Sequence, residues 1–208
     1  MRIALILFGL FFVQNSFANV KVAYFLNEGF KGEEYYTPRK LMEAAGFDVK
    51  VVTRYPGFVN PTRTDQANKV PSAKSDFTYD NVNPEKFDLL VFAGGGGAWA
   101  DYFPNKTIHK ILKDAFDRNQ WLGLICAGTG VLGTANNLYG DGVPLAKGRH
   151  VTGLPEVSGL LIRLGQVNYD KGDLNKPKVV VDGHLVTGRD PMSAQLFGET
   201  LVASLQKK

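Results

Sequence analysis

The sequence is poor in the residue types that form cross-links and bind metals. Its 208 residues include one cysteine, Cys126, and three histidines that are scattered along the chain. A single cysteine excludes an internal disulfide, and the histidines do not have the spacing of a metal-binding set. We therefore predict no metal site, and we expect the lone thiol either to be buried or to take part in chemistry.

The sequence also lacks the usual signatures of nucleic acid and nucleotide binding. The formal net charge is only +4 and no arginine-rich run is present, which argues against a nucleic acid partner. Glycines fill positions 94–97, but neither a Lys-Ser/Thr pair nor the spaced glycines of a dinucleotide fingerprint accompany them. The glycine run instead indicates a place where the main chain bends sharply or approaches a ligand.

The apolar run near the start of the chain is too short to cross a membrane. It covers residues 3–13, whereas a spanning helix needs roughly 20 residues. Arg2 precedes this run, and the small residues Ser16 and Ala18 follow it. The pattern predicts a signal peptide over residues 1–18 and export, to the periplasm of a bacterium, with no membrane contact after cleavage. A membrane anchor is the alternative interpretation.

We predict that residues 19–208 form a single α/β domain. Hydrophobic residues make up 44% of the sequence, which is enough for one well-packed core. Strand-like and helix-like stretches alternate, as in a sheet of mostly parallel strands. The predicted strands cover residues 20–26, 47–53, 87–93, 121–125, 150–153 and 165–169, and a predicted hairpin covers 179–187. The predicted helices cover residues 33–45, 105–119 and 191–205.

Residues at about 55–86 interrupt this alternation. They include prolines at positions 56, 61, 71 and 84 and show no hydrophobic period apart from a weak strand pattern at 76–79. We predict a long surface insertion here. Segments of this length are uncommon in compact domains unless they cover a site or are mobile, and a purely decorative insertion is the alternative.

Cys126 lies between a predicted buried strand and a run of small residues. The small residues from Ala127 onward suit the first turn of a helix that packs closely beneath the strand. A side chain on such a turn is presented at the carboxyl edge of the sheet, and helix amides directed at it lower the pKa of a thiol. The arrangement is that of a nucleophile elbow with sulfur in place of a serine oxygen. A buried structural cysteine is the alternative.

Five segments of the chain together carry a family resemblance. They are a first strand followed by residues 32–34 and Pro38, the strand and glycines at 87–95, and residues 125–128, 151–155 and 182–189. In their order and spacing they resemble the DJ-1/PfpI superfamily of class I glutamine amidotransferase-like proteins. The resemblance spans about residues 20–205. It implies a flavodoxin-like three-layer sandwich, a mostly parallel central sheet, a cysteine nucleophile elbow and a homodimer.

The resemblance also implies roles for individual residues. Glu34 matches the family glutamate that hydrogen-bonds the cysteine sulfur, and the neighbouring Glu33 is the competing assignment. A protonated carboxyl in this place stabilises a thiolate and can move a proton during addition to a carbonyl. Gly95 and Ala127 match the positions whose amides form an oxyanion hole.

Two positions depart from the family pattern. Ala127 follows Cys126, where the protease-like branch has a histidine, so we do not expect a classical peptidase. Leu154 occupies the position at which the DJ-1 branch has a histidine. His150 is the remaining possible site histidine, while His109 is predicted on a helix surface and His184 in a hairpin turn.

The resemblance implies a cysteine hydrolase or lyase that needs no cofactor. The expected activity is glyoxalase-like or deglycase-like hydration of small aldehydes, with Cys126 as nucleophile and Glu34 moving the proton. The expected partner is a small substrate with a carbonyl group. Two alternatives stay open: a non-enzymatic redox-responsive or chaperone-like protein, and an isonitrile hydratase-like hydro-lyase.

Overall fold

The computed structural model describes residues 20–135 and 142–206, and the predicted signal peptide lies outside this part of the chain. The described residues form an α/β fold around a mostly parallel central sheet, as predicted. No helix among them is long and apolar enough to cross a membrane.

The central sheet has seven strands in the order β10, β11, β7, β6, β1, β2 and β5. All neighbouring strands are parallel except β10 and β11, which form the predicted antiparallel hairpin. Two small sheets, β3 with β4 and β8 with β9, lie outside it. The strands are β1 (Lys21–Phe25), β2 (Asp48–Thr53), β3 (Phe58–Val59), β4 (Ala73–Lys74), β5 (Phe77–Thr78), β6 (Leu89–Phe92), β7 (Trp121–Ile125), β8 (His150–Val151), β9 (Asn168–Tyr169), β10 (Val179–Asp182) and β11 (Leu185–Gly188).

The predicted helices are present, and shorter helical turns connect the strands. The α-helices are α1 (Gly32–Ala44), α2 (Arg63–Ala67), α3 (Ala98–Asp101), α4 (Lys106–Asp117), α5 (Val131–Thr134) and α6 (Ala194–Leu205). Short 3-10 turns cover Pro84–Lys86, Cys126–Gly130, Pro155–Val157 and Pro191–Ser193, and a single π-turn covers Leu160–Leu164.

The central strands are apolar because helices cover both faces of the sheet. Every residue of β6 is buried, and so is every residue of β1 after Lys21. Strands buried on both faces lose the polar positions that would otherwise alternate with apolar ones. This explains why residues 87–93 give the clearest strand pattern in the sequence.

Helices α1 and α6 pack closely together on one face of the sheet. A Cβ added at Gly198 would lie 2.8 Å from the Cα of Pro38 and from Cδ1 of Leu41, so only glycine permits this approach. Helix α6 also covers β7, where Gly123 leaves room for Leu201. The first and last helices of the domain therefore support each other.

The sheet changes its direction of winding between β1 and β6. The chain moves from β1 to β2 on one side, and from β6 to β7 on the other. Right-handed connections in opposite directions leave a crevice at the carboxyl ends of these strands, and ligands bind in such crevices in open α/β sheets. The glycine run follows β6 at this edge, and Cys126 follows the adjacent β7.

The segment predicted as an insertion contains β3, α2, β4 and β5. Strand β5 pairs with β2 at the edge of the central sheet, close to the weak strand pattern at residues 76–79. Helix α2 lies next to the start of α1, where Asp65 accepts a hydrogen bond from the amide of Gly32 at 3.0 Å. The segment is thus connected both to the sheet and to the first helix.

Candidate active site

Cys126 stands at a sharp turn where β7 gives way to a 3-10 turn. Its backbone has a φ of 57°, in the left-handed region that non-glycine residues seldom adopt. The Cys126 carbonyl accepts hydrogen bonds from Oγ1 of Thr129 at 2.7 Å and from the amide of Leu154 at 3.3 Å. These contacts hold the backbone of the turn in place.

Glycine is required where the main chain passes the cysteine. A Cβ added at Gly94 would lie 2.6 Å from a carboxyl oxygen of Glu34, 2.8 Å from Cβ of Cys126 and 2.9 Å from the amide nitrogen of Ala127. A Cβ at Gly128 would lie 2.8 Å from the carbonyl oxygen of Ala93. The end of β6, the cysteine turn and the first helix therefore meet at one point.

Glu34 is fully buried in the first turn of α1 and faces the cysteine. Its Oε2 accepts a hydrogen bond from the amide of Gly94 at 2.9 Å, and the thiol of Cys126 lies close enough to the carboxyl to act on its pKa. Oε1 of Glu34 is buried and has no hydrogen-bond partner within the described residues. Its carbonyl accepts a hydrogen bond from the hydroxyl of Tyr24 at 2.5 Å. Glu33 is exposed, so the structure brings Glu34 and not Glu33 to the cysteine.

Burial alters the acidity of both groups in this pair. Removal from water raises the pKa of Glu34 to about 8, although the thiol and the Gly94 amide act in the opposite direction. Burial raises the pKa of Cys126 as well, and so does the negative charge of an ionised Glu34. The expectation of a lowered thiol pKa was wrong in its net direction, because the amides do not outweigh burial. The two adjacent acids therefore retain at least one proton near neutral pH.

Two backbone amides also reach the sulfur. The amides of Ala127 and Gly95 lie close enough to the Cys126 thiol to act to lower its pKa. Gly95 has a φ of 106°, and a Cβ there would lie 2.3 Å from the carbonyl oxygen of Gly29. Only glycine can therefore direct this amide at the sulfur. The two residues predicted for an oxyanion hole thus both have amides near the thiol.

His150 and His184 lie away from this group. The amide of exposed His150 donates to Asp182 at the turn between β10 and β11. That turn lies at the amino end of β11. Because β11 runs parallel to β7, Cys126, which follows the carboxyl end of β7, lies at the opposite end of the strands. His184 packs edge-on against the ring of Trp121 at the start of β7. Neither histidine can serve the thiol in this structure.

His109 corrects the sequence interpretation, which placed it on a helix surface. It is 6% exposed, and its Nε2 donates to the carbonyl of Phe103 at 2.8 Å. His109 lies three positions before Leu112, which is buried on the apolar side of α4. This spacing is the signal that could have indicated burial.

Leu154 occupies the place beside the cysteine turn where the resemblance implies a histidine. Its amide contacts the Cys126 carbonyl, and its partly buried side chain packs against the core. Within residues 20–135 and 142–206, no cluster of three or more His, Cys, Asp or Glu side chains is arranged to hold a metal ion.

Sequence reasoning missed two residues whose side chains hydrogen-bond the backbone around the site. Asn27 donates through Nδ2 to the carbonyls of Ala93 at 3.2 Å and Gly94 at 3.0 Å, and so holds the end of β6. Tyr24 holds the first turn of α1 through the Glu34 carbonyl. A polar residue just after a buried strand was the available signal for Asn27, whereas Tyr24 looks like an ordinary strand residue.

Comparison with known proteins identifies one family. A model of the DJ-1/PfpI family matches residues 20–204. The chain is 29% identical over 185 residues to the deglycase PfpI of Pyrococcus furiosus, with 88% of this chain and 89% of that protein covered. It is 25% identical over 195 residues to the glutathione-independent glyoxalase DJ-1 of Schizosaccharomyces pombe, with coverage of 91% and 93%.

A solved structure shows the same fold. The ThiJ/PfpI domain protein of Brachyspira murdochii superposes with a TM-score of 0.76 at 23% sequence identity. The match covers 91% of this chain and 98% of that one.

Proposed function

The chain belongs to the DJ-1/PfpI family, and from this premise we propose that it is a cofactor-independent enzyme in which Cys126 hydrates small reactive aldehydes. The names of the glyoxalase and deglycase relatives support this reaction class. The observation that carries the proposal is the buried carboxyl of Glu34, which the Gly94 amide holds next to Cys126. A retained proton next to a nucleophile is what carbonyl addition requires.

Methylglyoxal illustrates the steps. The sulfur bonds to the aldehyde carbon, and the thiol proton passes by way of Glu34 to the former carbonyl oxygen, which gives a hemithioacetal. The amides of Gly95 and Ala127 stabilise the charge that develops on that oxygen. One proton then moves from the aldehyde carbon to the ketone carbon, and another from the new hydroxyl to the ketone oxygen. Water cleaves the resulting thioester, so that lactate leaves and the thiol is restored.

Lactate formation from methylglyoxal tests this proposal. We expect Cys126→Ser and Glu34→Gln each to reduce turnover at least about 100-fold, because each removes a group that bonds to or moves protons in the reacting molecule. Glu33→Gln is the matched control, since it makes the same change on the exposed neighbour, and should stay within about twofold of wild type. Wild-type turnover in Cys126→Ser would refute the assignment.

Leu154 favours a second candidate function, a redox-responsive or chaperone-like protein without catalysis. Leu154, which contacts the cysteine turn through its amide, supplies no base, and none of the three histidines, all of which lie in the described part of the chain, adjoins the thiol. Two equivalents of peroxide convert a thiol to a sulfinic acid with release of two waters. The carboxyl of Glu34 can then donate to a sulfinate oxygen.

Mass spectrometry after mild peroxide separates the two candidates. Quantitative, stable sulfinic acid at Cys126 with no methylglyoxal turnover before oxidation favours the redox function. Turnover before oxidation that disappears with the oxidised fraction favours the enzyme.

Export and a homodimer also belong to this proposal. The sequence of the first residues supports export, and the family resemblance supports a homodimer. Determination of the mature amino terminus and of the mass in solution tests these two expectations.

A further inference from the structure

Asp65 is a buried carboxylate that the proposed chemistry does not use. It lies in α2, within the segment 55–86, and is 6% exposed. Its Oδ2 accepts the amide of Gly32 at 3.0 Å, and its Oδ1 pairs with Nζ of Lys31 at 2.6 Å. Burial acts to raise its pKa, but these contacts outweigh it, so the pKa lies below the ordinary value and the carboxylate is charged at neutral pH.

Asp65 caps α1 from a different part of the chain. Lys31 stands at the N-cap of α1 and makes no side-chain cap there. A helix start leaves amides without partners and favours a negative charge nearby. Asp65 meets both needs, and the first turn that it caps carries Glu34.

The residues just before Asp65 make further main-chain contacts with the same loop. The carbonyl of Asn60 accepts the amide of Gly29 at 2.8 Å, and the amide of Thr62 donates to the carbonyl of Phe30 at 2.9 Å. The segment 60–65 is therefore bonded to the segment 28–32 along its length.

The segment 28–32 in turn contacts the glycines beside the thiol. Phe30 forms a β-bridge with Gly95, and the amide of Lys31 donates to the carbonyl of Gly94 at 3.3 Å. The adjacent Gly94 passes so close to Cys126 that a Cβ there would lie 2.8 Å from the cysteine Cβ, and the Gly95 amide acts to lower the pKa of the thiol. A continuous set of contacts thus leads from Asp65 to the thiol.

We propose that Asp65 is a positioning residue that holds the Gly95 amide on the Cys126 sulfur through residues 28–32. This inference rests on the proposed function only for its kinetic consequence. Glu34 has separate attachments, to the Gly94 amide and the Tyr24 hydroxyl, so loss of Asp65 acts first on Gly95. The segment 55–86 then has a role in organising the site.

Two measurements on Asp65→Ala test the proposal. The first is the pH midpoint of Cys126 alkylation by iodoacetamide, which we expect to rise by about half a pH unit because the sulfur loses a hydrogen-bond donor. The midpoint reports ionisation, whereas easier access to the thiol changes the plateau rate. The second is methylglyoxal turnover, for which we expect kcat to fall at least about tenfold with KM within about twofold.

Asp76→Asn is the matched control. Asp76 is another carboxylate of the same segment, and it accepts the amide of Val51 at 2.7 Å, away from α1. Its loss should lower stability without changing the midpoint. Asp65→Asn keeps an acceptor for Gly32 but loses the charge facing Lys31, so it should restore part of the wild-type midpoint and kcat.

The outcomes separate the two proposals. If the alkylation midpoint shifts in Asp65→Ala while the wild-type protein itself shows no methylglyoxal turnover, the role of Asp65 is supported and the enzymatic function is refuted. A folded Asp65→Ala with the wild-type midpoint and kcat overturns the role of Asp65. Should Asp65→Ala fail to fold, Asp65→Asn decides: a wild-type midpoint and kcat in that variant overturn the proposal, and a partial shift supports it.

Discussion

Replacement of Glu34 by glutamine should change how the stability of the protein depends on pH. The carboxyl is fully buried, and its pKa rises from an ordinary value of 4.5 in the unfolded chain to about 8 in the folded protein. Between these values the folded state binds one more proton than the unfolded state. The free energy of unfolding therefore falls as pH rises, by about 1.4 kcal/mol per pH unit from this group.

The full effect is about 5 kcal/mol across the interval from 4.5 to about 8, and roughly 3 kcal/mol between pH 5 and 7.5. The stabilising contribution is present below the unfolded pKa and is lost as pH approaches the folded one. Glutamine has nearly the same shape and does not titrate, so this slope should disappear in Glu34→Gln. The range ends below pH 8 to keep thiol ionisation in the unfolded chain small.

Urea unfolding of both proteins at several pH values between 5 and 7.5 measures the two slopes. Glu33→Gln is the control, because the same change on the exposed neighbour should leave the wild-type slope intact. Equal slopes in wild type and Glu34→Gln would show that the carboxyl is ionised in the folded protein, and the reasoning about the retained proton would be refuted.

Three further substitutions test the surroundings of the site. Gly95→Ala should lower the free energy of unfolding by about 3 kcal/mol or more, because its Cβ meets a backbone oxygen at 2.3 Å, whereas a Cβ at Gly96 meets nothing within 4 Å and Gly96→Ala should be nearly neutral in the same thermal melt. Arg189→Met should cost about 3–5 kcal/mol and speed proteolysis of the loop whose carbonyls the buried guanidinium binds, and a similar loss in exposed Arg163→Met would contradict this. Leu154→His should raise methylglyoxal turnover if a missing base limits the rate, and an unchanged rate would indicate that another step does.

The regular elements were predictable because their signals are local. The buried strands β1, β6 and β7 have continuous apolar runs, and the turn between β10 and β11 has the Asp182-Gly183 pair that favours a hairpin. These patterns arise within a few residues. They were enough to predict the succession of strands and helices along the chain and the place of Cys126 after β7.

The contacts around the site were less predictable because they join distant residues. The sequence could not show that Asp65 meets Gly32, since 33 positions separate them. The direction of the thiol pKa was also wrong in the sequence interpretation, because it depends on how deeply Cys126 and Glu34 are buried together. Spacing identifies a turn, but it does not give the solvent exposure of the groups at that turn.

The close packing of α1 against α6 has a consequence for biosynthesis. The helix that carries Glu34 is synthesised before the other described helices, and α6, which packs against it, is synthesised about 150 residues later. Premature termination before Ala194 would yield a product that still carries the thiol and the acid but lacks the helix against which α1 packs. Maturation of the site therefore waits for the synthesis of α6.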